Sequence, residues 1–407
     1  MSRPTTADQA TVRKLNTSIV MECIRLQAPL SRAELAARTG LNRSTVSSII
    51  DELIDRGFVH ETTRQDPKIG RPGMLLQLNP EGGFAIGVEV GVDYISVILT
   101  NFVAEVLWRR RVNILPGEQQ IAILEQAEEM ISQAIAYGRQ AGLRPLGIGV
   151  GMPGLVDAQQ GKLVLAPNLK WVDMPVRLIW TRRFNLPVFV ENEANCAALG
   201  ELLYGVARDV QSFIYLSTGI GLGGGIIIDG RLFRGSSGYA GEVGHTTLYQ
   251  GGEVCGCGRV GCWETYVSPA AMLRRTHQLL QSGMPSCLVE LAGGDPQNIT
   301  IETLVDAAHK NDPLALQIIH EVASHMAVGI CNLINTFNPQ LIVLGGYLRL
   351  TSEWLIPVIQ ESFQKNVLAP LRDSIQVQAS AQEFDACTIG AIALVLDDIV
   401  REPLYSL

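Results

Sequence analysis

The residues whose types and spacing promise chemistry lie between Gly241 and Glu264, in the run GEVGHTTLYQGGEVCGCGRVGCWE. Cys255, Cys257 and Cys262 fall within eight residues of one another, and His245 precedes the first of them by ten. Three thiolates and one imidazole make a complete tetrahedral ligand set for a structural zinc ion. Gly256, Gly258 and Gly261 let so short a loop fold back, because glycine accepts positive φ without steric cost. Two acids, Glu242 and Glu264, flank the cluster. What they serve depends on the elements that position them.

Composition provides a body for that loop. A chain of 407 residues suggests two or three domains. With 47% hydrophobic and 18% charged residues it reads as folded and globular rather than disordered. No uninterrupted apolar run approaches the roughly 20 residues that span a bilayer, and the opening MSRPTTADQATVRKLN lacks an apolar signal region. The expectation is a cytoplasmic protein with no membrane partner, where thiols stay reduced and clustered cysteines favour metal over disulfide. Cys23, Cys196, Cys287, Cys331 and Cys387 are scattered and read as buried small hydrophobes. The net charge of −8 hides an asymmetry: residues 1–80 carry 11 Lys and Arg against 8 Asp and Glu, a net of +3, and the remainder carries 21 against 32, a net of −11. A basic front on an acidic body points the front end at a polyanion.

Residues 1–80 begin with three helical segments. Thr11 to Arg25 shows an apolar stripe at Leu15, Ile19, Val20, Cys23 and Ile24, and Pro29 interrupts it. Ser31 with Glu34 forms a capping box for a short helix that Gly40 ends. Asn42 caps a third helix, RSTVSSIIDELIDRG, packed through Val46, Ile49, Ile50, Leu53 and Ile54. Two helices joined by Thr-Gly-Leu form a helix-turn-helix. The second exposes Arg43, Ser44, Thr45, Ser47 and Ser48, short polar side chains and one guanidinium suited to base edges and phosphates. Phe58 to Thr63 and Met74 to Leu78 then read as the strands of a wing. Arg71 at its tip either enters a minor groove or is a solvated loop arginine. Asn79, Pro80, Gly82 and Gly83 mark the boundary with residues 81–407.

The body reads as α/β. Three strands (AIGVEVGVDYISVILTNF and EVLWRRRVNI) and a helix precede LGIGVGMPGLVD and LPVFVENEANCAALGELLYG. The pattern then restarts at SFIYLSTGIGLGGGIIIDGRLF, continues to the buried strand LIVLGGYL, and closes with the helix TIGAIALVLDDIV. Two halves, each opening with a glycine-turn hairpin, suggest a duplicated fold with lobes of about 84–200 and 201–407 and a cleft between. The closing helix is a candidate to return to the first lobe.

GEVGH followed by CGCGRVGCWE resembles the signature of the ROK family (repressors, open reading frames and kinases). MPGLVD, APNLKW, ENEANCAALGE, STGIGLGGGI and FNPQLIVLGG resemble its other blocks in order, and the winged helix-turn-helix with its Gly-Arg-Pro wing resembles the repressor branch, of the xylose-repressor type. The resemblance implies an actin-like, ribonuclease-H-like sugar-kinase body, a sugar site in the cleft, and the zinc site. By the same resemblance Asn168, Asn192, Glu193, Glu242, His245 and Glu264 are the sugar-site residues, with Glu193 at the position of the kinase base. A site built of paired acceptors and amide donors suits a hydroxyl-rich ligand, since an analogue lacking a hydroxyl leaves it unpaired. His245 has two ring nitrogens, one for zinc and one for sugar.

Two departures separate regulator from enzyme. Family kinases carry Asp-x-Gly-Gly-Thr at the first hairpin turn; this chain has Glu89-Val90-Gly91-Val92-Asp93, without the hydroxyl and with an added negative charge. Their general base is an Asp, and Glu193 extends it by one methylene, a displacement of about 1 Å that can cost roughly 10²-fold. The resulting expectation is a sugar-responsive repressor that binds operator DNA through Asn42, Arg43, Ser44, Thr45, Ser47 and Arg71. It pairs two half-sites as a homodimer or homotetramer, takes a sugar such as xylose or glucose, and has lost phosphoryl transfer. The alternatives are an ATP-dependent sugar kinase carrying a DNA-binding module and a regulator controlled by a protein partner.

Overall fold

Each of the first three helices carries its own start signal. The structure, a computed structural model, describes residues 8–63, 74–115 and 117–403. Asp8 caps α1 (Gln9–Gln27), accepting from the Thr11 amide at 2.7 Å. Ser31 and Glu34 form the capping box of α2 (Arg32–Thr39), which Gly40 ends at φ +70°. Asn42 accepts from the Thr45 amide at 2.8 Å and starts α3 (Arg43–Asp55). These caps satisfy amides that a first helical turn leaves without partners. Val46, Ile49, Ile50 and Leu53 bury the inner face of α3, each contributing about 1.5–3 kcal/mol. The stripe of α1 departs from expectation. Thr17, Val20, Met21 and Ile24 are buried, whereas Leu15 and Ile19 are 61% and 38% exposed. The buried positions follow one i, i+3, i+4, i+7 face, which turns the other apolar residues outward.

β1 (Val59–Thr63) and β2 (Met74–Leu78) pair antiparallel as the wing; Arg71 lies outside the described residues. Phe58 packs on Phe102 with ring centroids 5.1 Å apart. The Arg144 guanidinium stacks over Phe58 and donates to the carbonyls of Gly82 and Arg56 at 2.9 and 2.8 Å. The winged module is therefore tied to the sheet that follows. One compact unit comprises Met1–Val150, Arg177–Phe189 and Ala391–Leu407, and the second Gly151–Val176 and Val190–Gly390. These units group residues by compactness, with the winged module and the first sheet in one of them.

In the first unit β3 (Phe84–Val90), β4 (Tyr94–Asn101) and β5 (Val106–Asn113) form an antiparallel meander. α4 (Gln120–Gln140) covers it, and Gly138 lies where a side chain would enter the Phe84 ring. β6 (Pro145–Met152) follows. The chain then passes into the second unit for the antiparallel trio β7 (Leu155–Asp157), β8 (Lys162–Ala166) and β9 (Trp171–Met174), returns to the first for helix α5 (Val176–Phe184) and the start of strand β10 (Val188–Asn192), and re-enters the second for helix α6 (Glu193–Tyr204). The sheet order is β10-β6-β3-β4-β5. In the second unit β11 (Phe213–Thr218), β12 (Leu222–Ile228), β13 (Arg231–Leu232), β14 (Leu341–Gly346) and β15 (Gln376–Ala379) are ordered β15-β14-β11-β12-β13. In both sheets an opening antiparallel hairpin sits at the same place, so the duplication read from the sequence is present in the topology.

The core of the second unit forms around the helix Pro313–Phe337, which buries thirteen residues. By length and mean hydropathy this helix would pass for a membrane span, but His320, Glu321, His325 and Asn332 interrupt its apolar run and 61% of its apolar window is buried inside the fold. The C-terminal helix, Ala386–Arg401, begins in the second unit and continues into the first. At its start Gly390 lies against the Cys196 carbonyl and Gly200 against that of Ala386, with no room for a Cβ at either. At its end Asp397 pairs with Arg25 of α1 at 3.3 Å, and Glu402 pairs with Lys14 at 2.5 Å.

Candidate functional site

The cysteine loop is shaped by its own backbone. The amide of Cys255 donates to the Arg259 carbonyl at 2.8 Å, that of Gly258 to Cys255 at 2.9 Å, and that of Gly261 to Glu253 at 2.7 Å. Gly258 and Gly261 take φ of +85° and +77°, and a side chain at Gly261 would strike the Tyr249 carbonyl. One ligand atom from each of His245, Cys255, Cys257 and Cys262 lies within 4.8 Å of the others. The Cys257 and Cys262 sulfurs are 3.8 Å apart, and His245 Nδ1 is 3.7 Å from Cys255 Sγ. A tetrahedral ion bound at about 2.3 Å to sulfur spaces neighbouring sulfurs by about 3.8 Å, so the donor set fits a metal ion in both chemistry and spacing. Burial, and beside it the Glu264 carboxylate, push the Cys255 thiol far above its usual range. A metal cation bound here would favour its thiolate form.

Glu264 joins that cluster to a second element. Its Oε1 is 2.8 Å from Cys255 Sγ and 3.5 Å from His245 Nδ1. Its Oε2 accepts from the Leu222 amide at 3.4 Å, at the turn between β11 and β12. The carboxylate fills the space that a Cβ on Gly221 would need. The glycine-rich turn thus closes on the metal loop.

The same glycines place the other site elements. Gly223 and Gly225 on one face of β12 lie against Ala194 and Ala198 of α6. Gly224, on the opposite face, lies against Val243 and the Gly241 carbonyl. Successive strand residues point to opposite faces, so one glycine run seats the start of α6 and the turn that carries Glu242 and His245. Glu242 is open to solvent along part of its side chain, yet protein crowds it. Burial raises its pKa, the His245 ring lowers it, and the Glu264 charge raises it. An accessible carboxylate whose pKa is raised by its surroundings is a candidate ligand-binding acid.

The remaining expected residues are placed differently. Asn192 is the cap of α6: its Oδ1 accepts from the Ala194 and Asn195 amides at 2.9 and 3.2 Å, and its Nδ2 donates to Gly154 at 2.9 Å. Its acceptor oxygen is committed to the helix, which leaves one amide hydrogen for a ligand. Glu193 opens α6, half-buried. Asn168 is exposed in the turn between β8 and β9, and among the described residues its amide has no hydrogen-bond partner. His245, Glu264 and the three cysteines are in mutual contact, Glu242 is coupled to them by charge, and Asn168 is joined to none of them.

Sequence reasoning missed Glu191. It is 1% exposed, pairs with Arg234 Nε at 2.8 Å, and accepts from the Asn192 amide at 2.9 Å and Asn195 Nδ2 at 3.1 Å. An acid ending the apolar strand LPVFVE was the available signal, because a buried carboxylate requires a partner.

At the other end of the chain Arg43 and Ser44 are exposed, Ser44 donating to the Asn42 cap at 2.7 Å. Thr45 and Ser47 are half-buried behind them. Ser48 accepts from Arg13, which pairs with Glu52 at 2.7 Å.

Comparison with known proteins agrees with both halves. Residues 85–398 match the ROK family, and residues 18–69 match the MarR family. The chain is 37% identical over 395 residues to the xylose repressor of Caldicellulosiruptor bescii, across 97% of this chain and 98% of that protein. Its structure is similar to the crystal structure of a ROK family transcriptional regulator, a homologue of the E. coli MLC protein, with a TM-score of 0.84, 29% identity, and coverage of 97% of this chain and 98% of that one. It is also similar to a ROK family glucokinase from Streptomyces griseus in complex with glucose and AMPPNP, with a TM-score of 0.69, 32% identity, and coverage of 77% of this chain and 99% of that one. The chain belongs to the ROK family and carries, ahead of that body, a MarR-like winged-helix DNA-binding domain.

Proposed function

We propose that this protein is a sugar-responsive transcriptional repressor of carbohydrate-utilisation genes. The observation that carries the reading is the joining, in one chain, of a capped α3 that presents Arg43 and Ser44 to solvent with a ROK body whose Glu242, His245 and Glu264 converge beside a Cys3His cluster. The xylose-repressor relative supports xylose as the first sugar to test and glucose as the second. Asn168, Asn192, Glu193, Glu242, His245 and Glu264 are the proposed sugar-site residues. Arg43, Ser44, Thr45, Ser47, Asn42 and Arg71 are the proposed operator contacts. The Cys3His set favours zinc, which when bound supplies a fixed cross-link holding the His245 turn to the cysteine loop. The eight free thiols suit a reducing, cytoplasmic setting. A homodimer or homotetramer suits an operator with two half-sites.

Binding of sugar and of operator is then reciprocal: the factor by which sugar weakens or strengthens DNA binding equals the factor by which DNA changes sugar binding. Titrating xylose and glucose with and without operator DNA tests this, and an identical sugar affinity in both conditions rejects the model. The kinase reading draws on the glucokinase similarity and on Glu193 at the base position. Against it stand Asp93, exposed at the first hairpin turn, and the missing hydroxyl there. A coupled assay with Mg-ATP decides: turnover of about 1 s⁻¹ or above marks a kinase, and no turnover marks a regulator.

A further inference from the structure

The Glu191–Arg234 pair stands where two separately coded parts of the site meet. Glu191 is buried at the end of β10, 1% exposed, and Arg234, just beyond β13, is 41% exposed. One carboxylate oxygen takes Arg234 Nε at 2.8 Å. The other gathers the Asn192 amide at 2.9 Å and Asn195 Nδ2 at 3.1 Å, the cap and first turn of α6. On the arginine side, the Arg234 carbonyl accepts from the Ala240 amide at 3.1 Å. That bond closes the loop 234–240 two residues before Glu242. Gly241 follows at φ +103°, and a Cβ there would stand 3.9 Å from Asn195 Oδ1, a buried acceptor without a protein partner among the described residues.

The two sides of the ion pair thus end on different functional segments: α6 with Asn192 and Glu193, and the turn with Glu242 and His245. We propose that Glu191 and Arg234 are positioning residues that latch these two segments into one register, so that sugar meets them as a preformed site. This rests on the sugar-site reading above. The physical argument is that a buried carboxylate holding three donors fixes their mutual geometry, and removing its cation leaves an uncompensated buried charge that must find water or move. Movement of either segment changes the register of the α6 cap against the turn that carries Glu242. Neither Glu191 nor Arg234 need touch the sugar.

Arg234→Met keeps an apolar stem and removes the charge; Arg234→Lys keeps the charge on a different head. Two measurements on the full-length protein decide. The first is hydrogen exchange without sugar, read at residues 192–196 and 240–246. Arg234→Met is expected to speed exchange roughly tenfold or more in both segments while the sheet strands keep their protection, and Arg234→Lys to restore most of it. The second is xylose and glucose affinity by calorimetry, well below the melting temperature. Arg234→Met is expected to weaken, roughly tenfold or more, whichever sugar the wild type binds, with recovery in Arg234→Lys. Faster exchange in one segment alone, or uniformly across the unit, overturns the latch. Unchanged sugar affinity in Arg234→Met overturns its role in binding. If the wild type binds neither sugar, the sugar-site reading fails, and the exchange experiment still decides whether the pair couples the two segments.

Discussion

Glu242 and Cys257 illustrate how single residues divide between function and stability. Burial holds the Glu242 pKa above the ordinary carboxylate range. The folded state therefore keeps this proton longer than the unfolded state does, and stability is lost as pH rises from the unfolded through the folded pKa. Glu242→Gln removes that burden. Its melting temperature should match or exceed wild type at neutral pH, and the difference should vanish as pH falls below the carboxylate range. It should also lose the sugar-induced stabilisation, which for the wild type amounts to about 2.7 kcal/mol at 100 times Kd. Thermal melts across pH, with and without sugar, check both parts. Cys257→Ser behaves differently, because it removes one of four donors from the cluster. Bound zinc measured by elemental analysis should fall from one per chain to a small fraction. Both melting temperature and sugar response should fall with it, since Glu264 contacts Cys255 and His245 directly. Normal sugar binding in the zinc-free variant would confine the cluster to stability.

At the scale of the element, legibility followed local chemistry. The caps at Ser31 and Asn42, the left-handed Gly40 and the periodicity of α3 are written in neighbouring residues, and the structure has each of them. The rotation of α1 was not legible. Its sequence offers two overlapping apolar stripes, and packing selects the one through Thr17, Val20, Met21 and Ile24. The glycines of β12 were legible as a turn but not as the seats of α6 and of the Glu242 turn, because close approach is a tertiary property. For α3 the outward face predicts its own test. Arg43→Ala should weaken operator binding by about 1–3 kcal/mol if it reads a base edge. If it contacts phosphate, it should weaken all DNA about equally and reduce the salt slope by about 1. Binding titrations at several salt concentrations, with operator and unrelated duplex, separate the two.

Across the whole molecule, the order of blocks from MPGLVD to FNPQLIVLGG carried the family, and the two matching sheet orders show the duplication that the sequence implied. The division into units was less legible. Nothing local announces that Arg144 will stack on Phe58, or that the C-terminal helix will start against α6 and end in ion pairs with α1. These are contacts between residues far apart in the chain. Glu191 and Arg234 belong to the same class, forty-odd positions apart and silent until folded.

The glycine run also bears on how such a protein can change over generations. A Cβ on Gly224 or Gly225 would run into the Glu242 turn or α6, one on Gly221 would displace the Glu264 carboxylate, and one on Gly223 would press on the Ala194 methyl at 3.1 Å. Substitution at these positions disturbs the frame that holds Glu242 and Glu264 before it can change anything else. Gly219, in the same turn, has open space around its Cα, and Asn168 stands exposed on its own turn. On the proposed sugar reading, a laboratory search for altered response starts at those two positions, where the fold leaves room for a new side chain.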